Sequence, residues 1–155
     1  MNAVDAADED YLHLDQQICF ALHNASRAFG SVYRVALKDL GLTYPQYLVM
    51  LVLWEQGELP VKRISERLRL DSGTLSPLLK RLEANGFVRR ERSRDDERSV
   101  TVRLTEKGVA LRERAKAVPQ SIAVATGLPL AGIEQLREQL SMLTEALLNP
   151  AVTTR

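Results

Sequence analysis

Between Val61 and Leu104 the hydrophobic period changes from three-or-four residues to two, and this switch restricts the fold more than any other feature. Val61–Leu68 and about Ser72–Asn85 read as two short helices, the second closed by Gly86 just past its last turn. Phe87–Arg92 and Ser99–Leu104 alternate in character, and Ser99-Val100-Thr101-Val102 favours extended backbone. Between them Ser93-Arg94-Asp95-Asp96-Glu97-Arg98 is wholly polar, as a solvated hairpin tip requires. The order helix, turn, helix, hairpin predicts a winged helix-turn-helix within a mainly α chain.

The net charge of +1 hides an uneven distribution. Val61–Arg103 holds 12 Lys/Arg against 7 Asp/Glu, so the rest of the chain is acidic. A basic middle on a non-basic scaffold points to nucleic acid, although a solvated basic face has the same composition. The second helix opens Asp71-Ser72-Gly73-Thr74-Leu75-Ser76-Pro77. Small hydroxyl residues at a helix N-terminus allow close approach to a groove and bond base edges or phosphates. Leu75, Leu78, Leu79 and Leu82 give the opposite face to the core. Ser72, Thr74, Ser76 and Lys80 are expected to face the major groove, with Arg81 nearer phosphate. Arg94 and Arg98 at the hairpin tip are long enough for a minor groove, with Asp95, Asp96 and Glu97 limiting indiscriminate adhesion. A surface hairpin of paired charges is the bland alternative, and the helix-turn-helix before it argues for DNA.

The flanks are helical. Met1 to Asp10 is polar and expected to fray. From Tyr11 to about Leu40, Leu14, Ile18, Leu22, Ala25, Phe29 and Val32 mark a long amphipathic helix, bent near Gly30. Gly41-Leu42-Thr43 breaks it, Thr43 caps the next helix, and Pro45–Glu55 is apolar on most faces, hence buried. Thr105-Glu106-Lys107-Gly108 restarts a helix to about Val118, with Pro119 beyond it, and a last helix spans about Leu130–Leu148. Its Leu136, Leu140, Leu143 and Leu147 form a packing stripe that one small domain leaves exposed. With Leu14 and Ile18, this stripe predicts a homodimer. The expected organisation is residues 1–40 and 106–155 for dimerisation and 41–105 for DNA.

Other classes fit poorly. At 155 residues, the chain is long enough for a core without staples. No apolar run approaches the roughly 18 residues of a membrane span, and the acidic N-terminus lacks a secretory pattern, so the cytoplasm is expected. One cysteine and two histidines argue against a metal site, and no cofactor is expected. A thiol peroxidase would want a resolving cysteine or a His/Asp pair near Cys19, so the chain is not expected to be an enzyme. An interaction module without DNA conflicts with the basic middle.

The stretches LTYPQYLVMLVLWE, LRLDSGTLSPLLKRLEANGFVRRERSRDDERSV and LTEKGVALRE resemble the MarR-type winged-helix regulators. With ICFALHNASRAFGSVYR, which places one Cys early in the first helix, they resemble the organic hydroperoxide resistance branch. The resemblance runs from about Leu14 to Pro119. It implies a homodimer that represses from palindromic double-stranded DNA until an organic hydroperoxide oxidises Cys19. It also implies that the hydroxyls of Tyr33 and Tyr44 bond the Cys19 sulfur. There are two departures. His23 stands where several relatives carry tyrosine, and it can donate a hydrogen bond, act as an imidazolium or face solvent. The resolving cysteine of two-Cys relatives is absent, so the chain resembles the one-Cys kind, and the oxidised sulfur is expected either to be captured by a low-molecular-weight thiol or to over-oxidise to a sulfinic or sulfonic acid.

On its residues alone, Cys19 has two readings. Between Ile18 and Phe20 it is a small packed hydrophobe, the usual fate of such a residue. A reactive thiol needs a stabiliser of its thiolate, and the nearest basic residue along the chain, Arg27, is two turns away. Tyr33 lies 14 residues beyond Cys19, about 21 Å along a straight helix, so either the helix folds back or a second subunit delivers it, whereas Tyr44, beyond the break at Gly41, can come from either subunit. The competing function is a MarR-type repressor released by a small aromatic or phenolic ligand, with Cys19 only packing.

Overall fold

The computed structural model describes residues 10–150, so the fraying expected for the first nine residues lies outside the described ones. Seven α-helices and three short strands follow in the order α1 (Ile18–Ala36), α2 (Tyr44–Gln56), β1 (Leu59–Pro60), α3 (Val61–Leu68), α4 (Ser72–Ala84), β2 (Val88–Arg92), β3 (Val100–Leu104), α5 (Glu106–Ala115), α6 (Ala117–Thr126) and α7 (Leu130–Leu148). The chain divides into two compact units between Ala115 and Lys116.

The first unit holds the winged helix-turn-helix. β3 is the central strand of an antiparallel sheet ordered β1-β3-β2, with Arg90 opposite Val102 and Leu59 opposite the same residue on the other edge. The core comprises Leu37, Met50, Leu53, Ile64, Leu75, Leu79, Leu82, Val88 and Val102. α2 starts on a capping box in which Gln46 N–H donates to Thr43 Oγ1 at 3.4 Å and Thr43 N–H to Gln46 Oε1 at 3.0 Å. α2 buries Gln46, Tyr47, Val49, Met50, Val52 and Leu53, while Tyr44 and Leu51 are partly exposed. Trp54 Nε1 reaches across to the Gly108 carbonyl of α5 at 2.9 Å. A Cβ at Gly108 would lie 2.1 Å from the Phe87 carbonyl oxygen, so only glycine lets α5 sit this close to the base of the wing.

Three expectations are corrected. The first helix does not start at Tyr11 or run to Leu40. Asp10–Leu12 and Leu14–Gln16 are 3-10 turns, and α1 starts after an extended Gln17 whose side chain donates to the Tyr11 and His13 carbonyls. Those carbonyls would otherwise accept from helical N–H groups. At the other end Leu37 caps the helix, Lys38–Leu40 is a further 3-10 turn, and Gly41 takes the left-handed conformation at φ 68°. Secondly, Gly30 makes no break in α1. Thirdly, Pro119 does not lie beyond a helix. It occupies the first turn of α6, where a missing N–H is harmless, and α6 occupies much of the stretch from Val118 to Leu128 that carried no assigned helix.

In the second unit α6 packs on α7. Leu136, Leu140 and Leu147 are exposed on α7 and Leu143 is half-buried, with Met142 and Leu148 also exposed. Leu14 and Ile18, in the first unit, are exposed as well. Among the described residues no helix is long and apolar enough to cross a membrane.

Candidate DNA interface and cysteine site

α4 is built to present its N-terminal half. Asp71 caps it, accepting from Thr74 N–H at 2.7 Å, and the Thr74 hydroxyl joins the same carboxylate. These bonds favour the charged form and hold the Asp71 carboxyl below its ordinary range. Leu75, Leu79 and Leu82 recur at i, i+4 and i+7 and are fully buried. The opposite face is exposed, and Ser72, Thr74, Ser76, Pro77, Lys80 and Arg81 all lie in solvent. Pro77 has no N–H, so the Gly73 carbonyl in the first turn lacks its usual helical donor.

The turn before α4 is tight. Arg69 adopts φ 55°, Leu70 N–H donates to the Ser65 carbonyl at 3.1 Å, and the Ser65 hydroxyl bonds the Leu70 carbonyl. Arg67 grips both carboxylate oxygens of Glu55 at 3.0 and 3.2 Å, joining α3 to α2. The wing tip is equally structured. Ser93 N–H donates to the Ser99 carbonyl at 2.8 Å, Ser99 N–H to the Asp96 carbonyl at 2.9 Å, and Arg98 N–H to Asp96 Oδ1 at 3.0 Å. Asp96 therefore shapes the tip as well as diluting its charge.

A groove of about 630 Å³ between α3, α4 and the wing brings together Ser72, Ser76 and Arg98, which the sequence singled out, with Lys62, Ser65 and Arg90, which it did not. Thr74, Lys80, Arg81 and Arg94 are exposed but do not line it. Arg90 shares one face of β2 with Val88 and Arg92, and its period-two position was the available signal. It is oriented by Glu83, which accepts from Arg90 N–H at 2.8 Å and pairs with its guanidinium at 3.1 Å. The backbone bond from Arg90, and then its charge, pull the Glu83 carboxyl down.

The cysteine site is divided along α1. Cys19 is exposed near its start, with exposed His23 one turn on. Tyr33 lies in the helix's last turns, half-buried, its ring centroid 4.6 Å from Tyr44 and 5.9 Å from Tyr47. Burial raises the Tyr33 and Tyr47 phenols above the ordinary tyrosine range, and the neighbouring tyrosines add to both shifts. Both hydroxyls thus stay protonated donors well above neutral pH. Because α1 is unbroken, Tyr33 stands about 21 Å from Cys19 along the axis and about 40° away around it. The structure gathers Tyr33 with Tyr44 and brings neither to Cys19 of the same chain. Tyr47, expected only to pack, is a third member of the cluster.

Comparisons with known proteins agree with this architecture. The family described as "Transcriptional regulator SarA/Rot" matches residues 31–114. The chain is 50% identical to the HTH-type transcriptional regulator TtmR of Methylorubrum extorquens over 90% of its own length and 71% of that protein. It is 44% identical to the organic hydroperoxide resistance transcriptional regulator of Bacillus subtilis, over 89% of this chain and 94% of that one. Among solved structures, reduced AbfR bound to DNA, a protein of Staphylococcus epidermidis, superposes with a TM-score of 0.75 at 37% identity, covering 92% of this chain and all of that one. The overoxidised form of AbfR, also bound to DNA, gives 0.72 at 37% identity, over 90% of this chain and 98% of that one. The Methylorubrum and Bacillus relatives are transcription regulators. An exposed helix N-terminus and a shaped basic wing flanking one groove, on a chain this similar to them, make it a SarA/Rot-type member of the MarR family of winged-helix transcription regulators.

Proposed function

We propose that the chain is a homodimeric repressor that binds palindromic double-stranded DNA and releases it after an organic hydroperoxide oxidises Cys19. One observation carries the sensing half: an exposed thiol lies on the same side of an unbroken helix as a protonated tyrosine four turns away. Packing two α1 helices antiparallel about a two-fold axis near Ser26 sets Cys19 of each beside Tyr33 of the other. Small residues there, Ala25, Ser26 and Ala28, suit a close crossing. Ser72, Ser76, Thr74 and Lys80 serve the major groove, Arg81 phosphate, and Arg98 with Arg94 the minor groove.

The chemistry balances as follows. The Cys19 thiolate attacks the terminal peroxide oxygen, the O–O bond breaks, and the alkoxide leaves, taking a proton to become the alcohol. Sulfur is oxidised by two electrons to the sulfenic acid. The thiolate of a low-molecular-weight thiol then attacks that sulfur, the S–O bond breaks, water leaves, and a mixed disulfide forms. The overoxidised relative is described on DNA, so we assign release in this chain to the mixed disulfide. Its bulk, placed twice in a helix interface, costs about 1–3 kcal/mol per site by overpacking. Recognition helices must sit about 34 Å apart, so a shift of a few ångströms loses the operator.

A gel-shift assay on the protein's own promoter region, with cumene hydroperoxide and cysteine, tests this reading. Release that needs both reagents supports it. A second reading has one observation in its favour: a cleft of about 430 Å³ where Lys38, Lys107 and Arg114 surround an apolar floor of Leu40, Phe87 and Leu111. Release by a salicylate-like acid without peroxide would favour that one.

A further inference from the structure

The sensor helix and the DNA-binding head are joined by more than the chain. α1 ends at Ala36, Leu37 plugs into the core at 1% exposure, and Lys38–Leu40 forms a 3-10 turn before left-handed Gly41. Only Leu42 and Thr43 separate Gly41 from α2, which begins the head. A short 3-10 segment between two helices can absorb movement. A long-range bond holds this turn: Arg114 Nη2, in the last turn of α5, donates to the carbonyl of Asp39 in its middle, 75 residues earlier, at 2.6 Å. A cation at a helix C-terminus that also bonds a neighbouring carbonyl is well placed electrostatically.

The other end of α5 is tied to the wing and to α2. Thr105 N–H donates to the Phe87 carbonyl at 3.1 Å, the Thr105 hydroxyl bonds the Gly86 carbonyl, and the Gly108 carbonyl accepts from Trp54. α5 is thus a strut, with the wing base at one end and the turn that follows the sensor helix at the other. Arg114 is exposed, and a single surface bond adds little to stability. Its place in the fold, bonded to the turn between α1 and the head, gives it a different use.

We propose that Arg114 is a positioning residue for the release step: it clamps the Lys38–Leu40 turn to α5, so that the turn cannot yield and displacement of α1 carries the wing with it. Without the clamp, the Lys38–Gly41 turn absorbs the displacement and the head stays on DNA. This inference rests on the redox reading given above. It concerns coupling alone, so reduced DNA binding and the chemistry at Cys19 are independent of it.

The test compares the full-length parent with Arg114→Gln and Arg114→Lys. Operator affinity is measured by fluorescence anisotropy before and after cumene hydroperoxide plus cysteine, and mixed-disulfide formation is followed by intact mass. The expected result is parental affinity when reduced and a parental rate of disulfide formation. On oxidation Kd should rise about 30-fold in the parent, less than about 5-fold in Arg114→Gln, and by an intermediate factor in Arg114→Lys, which keeps one donor. Equal release by parent and Arg114→Gln overturns the clamp and leaves the redox reading standing. Reduced binding weakened about tenfold or more in Arg114→Gln also overturns it, because the residue would then serve the DNA-bound state itself. A parent that forms the mixed disulfide and stays on DNA overturns both.

Discussion

At the scale of single residues, the groove beside α4 separates contacts by what they can reach. Arg98 lines the groove from a tip that Asp96 shapes, whereas Arg94 lies outside it. Arg98→Ala should weaken operator binding by about 1–3 kcal/mol per site and flatten the salt dependence by about one unit per lost phosphate or groove contact, with unchanged melting. Anisotropy titrations at several salt concentrations check this, and Arg94→Ala should be milder. Tyr33 is kept protonated by burial beside Tyr44 and Tyr47, so it donates without competing for the charge. Tyr33→Phe should leave reduced binding intact and slow Cys19 oxidation several-fold, read by stopped-flow with a sulfenic-acid probe. Ser72, Ser76 and Arg98 could be singled out from sequence because hydroxyl residues at a helix N-terminus and arginines at a hairpin tip have position-specific meaning. Lys62, Arg90 and Tyr47 were not, because their roles arise only where separate elements meet in space.

At the scale of elements, the cap of α4 carries a pH signature. The Asp71 carboxyl titrates lower in the folded chain than in the unfolded one, owing first to the Thr74 backbone bond. Its contribution to stability is therefore present above the unfolded value, about 3.9, and disappears as pH falls through the folded value. Asp71→Ala should lower the melting temperature at neutral pH, and its difference from the parent should shrink as pH falls below about 4. α2, α4 and the hairpin were legible because period, cap and polar tip agreed with one another. α1 was overextended because its apolar spacing continues through Leu14, while Gln17 diverts the backbone by bonding the Tyr11 and His13 carbonyls. α6 was missed because Pro119 reads as a stop, although it also suits a first turn. β1 has two residues, too few for any period to show.

At the scale of the whole molecule, the exposed Leu136, Leu140 and Leu147, with half-buried Leu143, require a partner on the proposed reading. Light scattering at micromolar concentration should give twice the 17.4 kDa chain mass. Leu147 is 70% exposed in the single chain, so Leu147→Glu should leave monomer folding alone and weaken dimerisation about tenfold or more, because a charge would then enter an apolar seam. A monomeric parent would remove the route by which Tyr33 meets Cys19. The central claim is that Cys19 chemistry, rather than ligand binding elsewhere, empties the operator. Its most direct test is operator release by Cys19→Ser under cumene hydroperoxide with cysteine. Cys19→Ser should bind the operator with parental affinity and retain it at doses that release the parent. Release of Cys19→Ser at the parent's dose would contradict that claim.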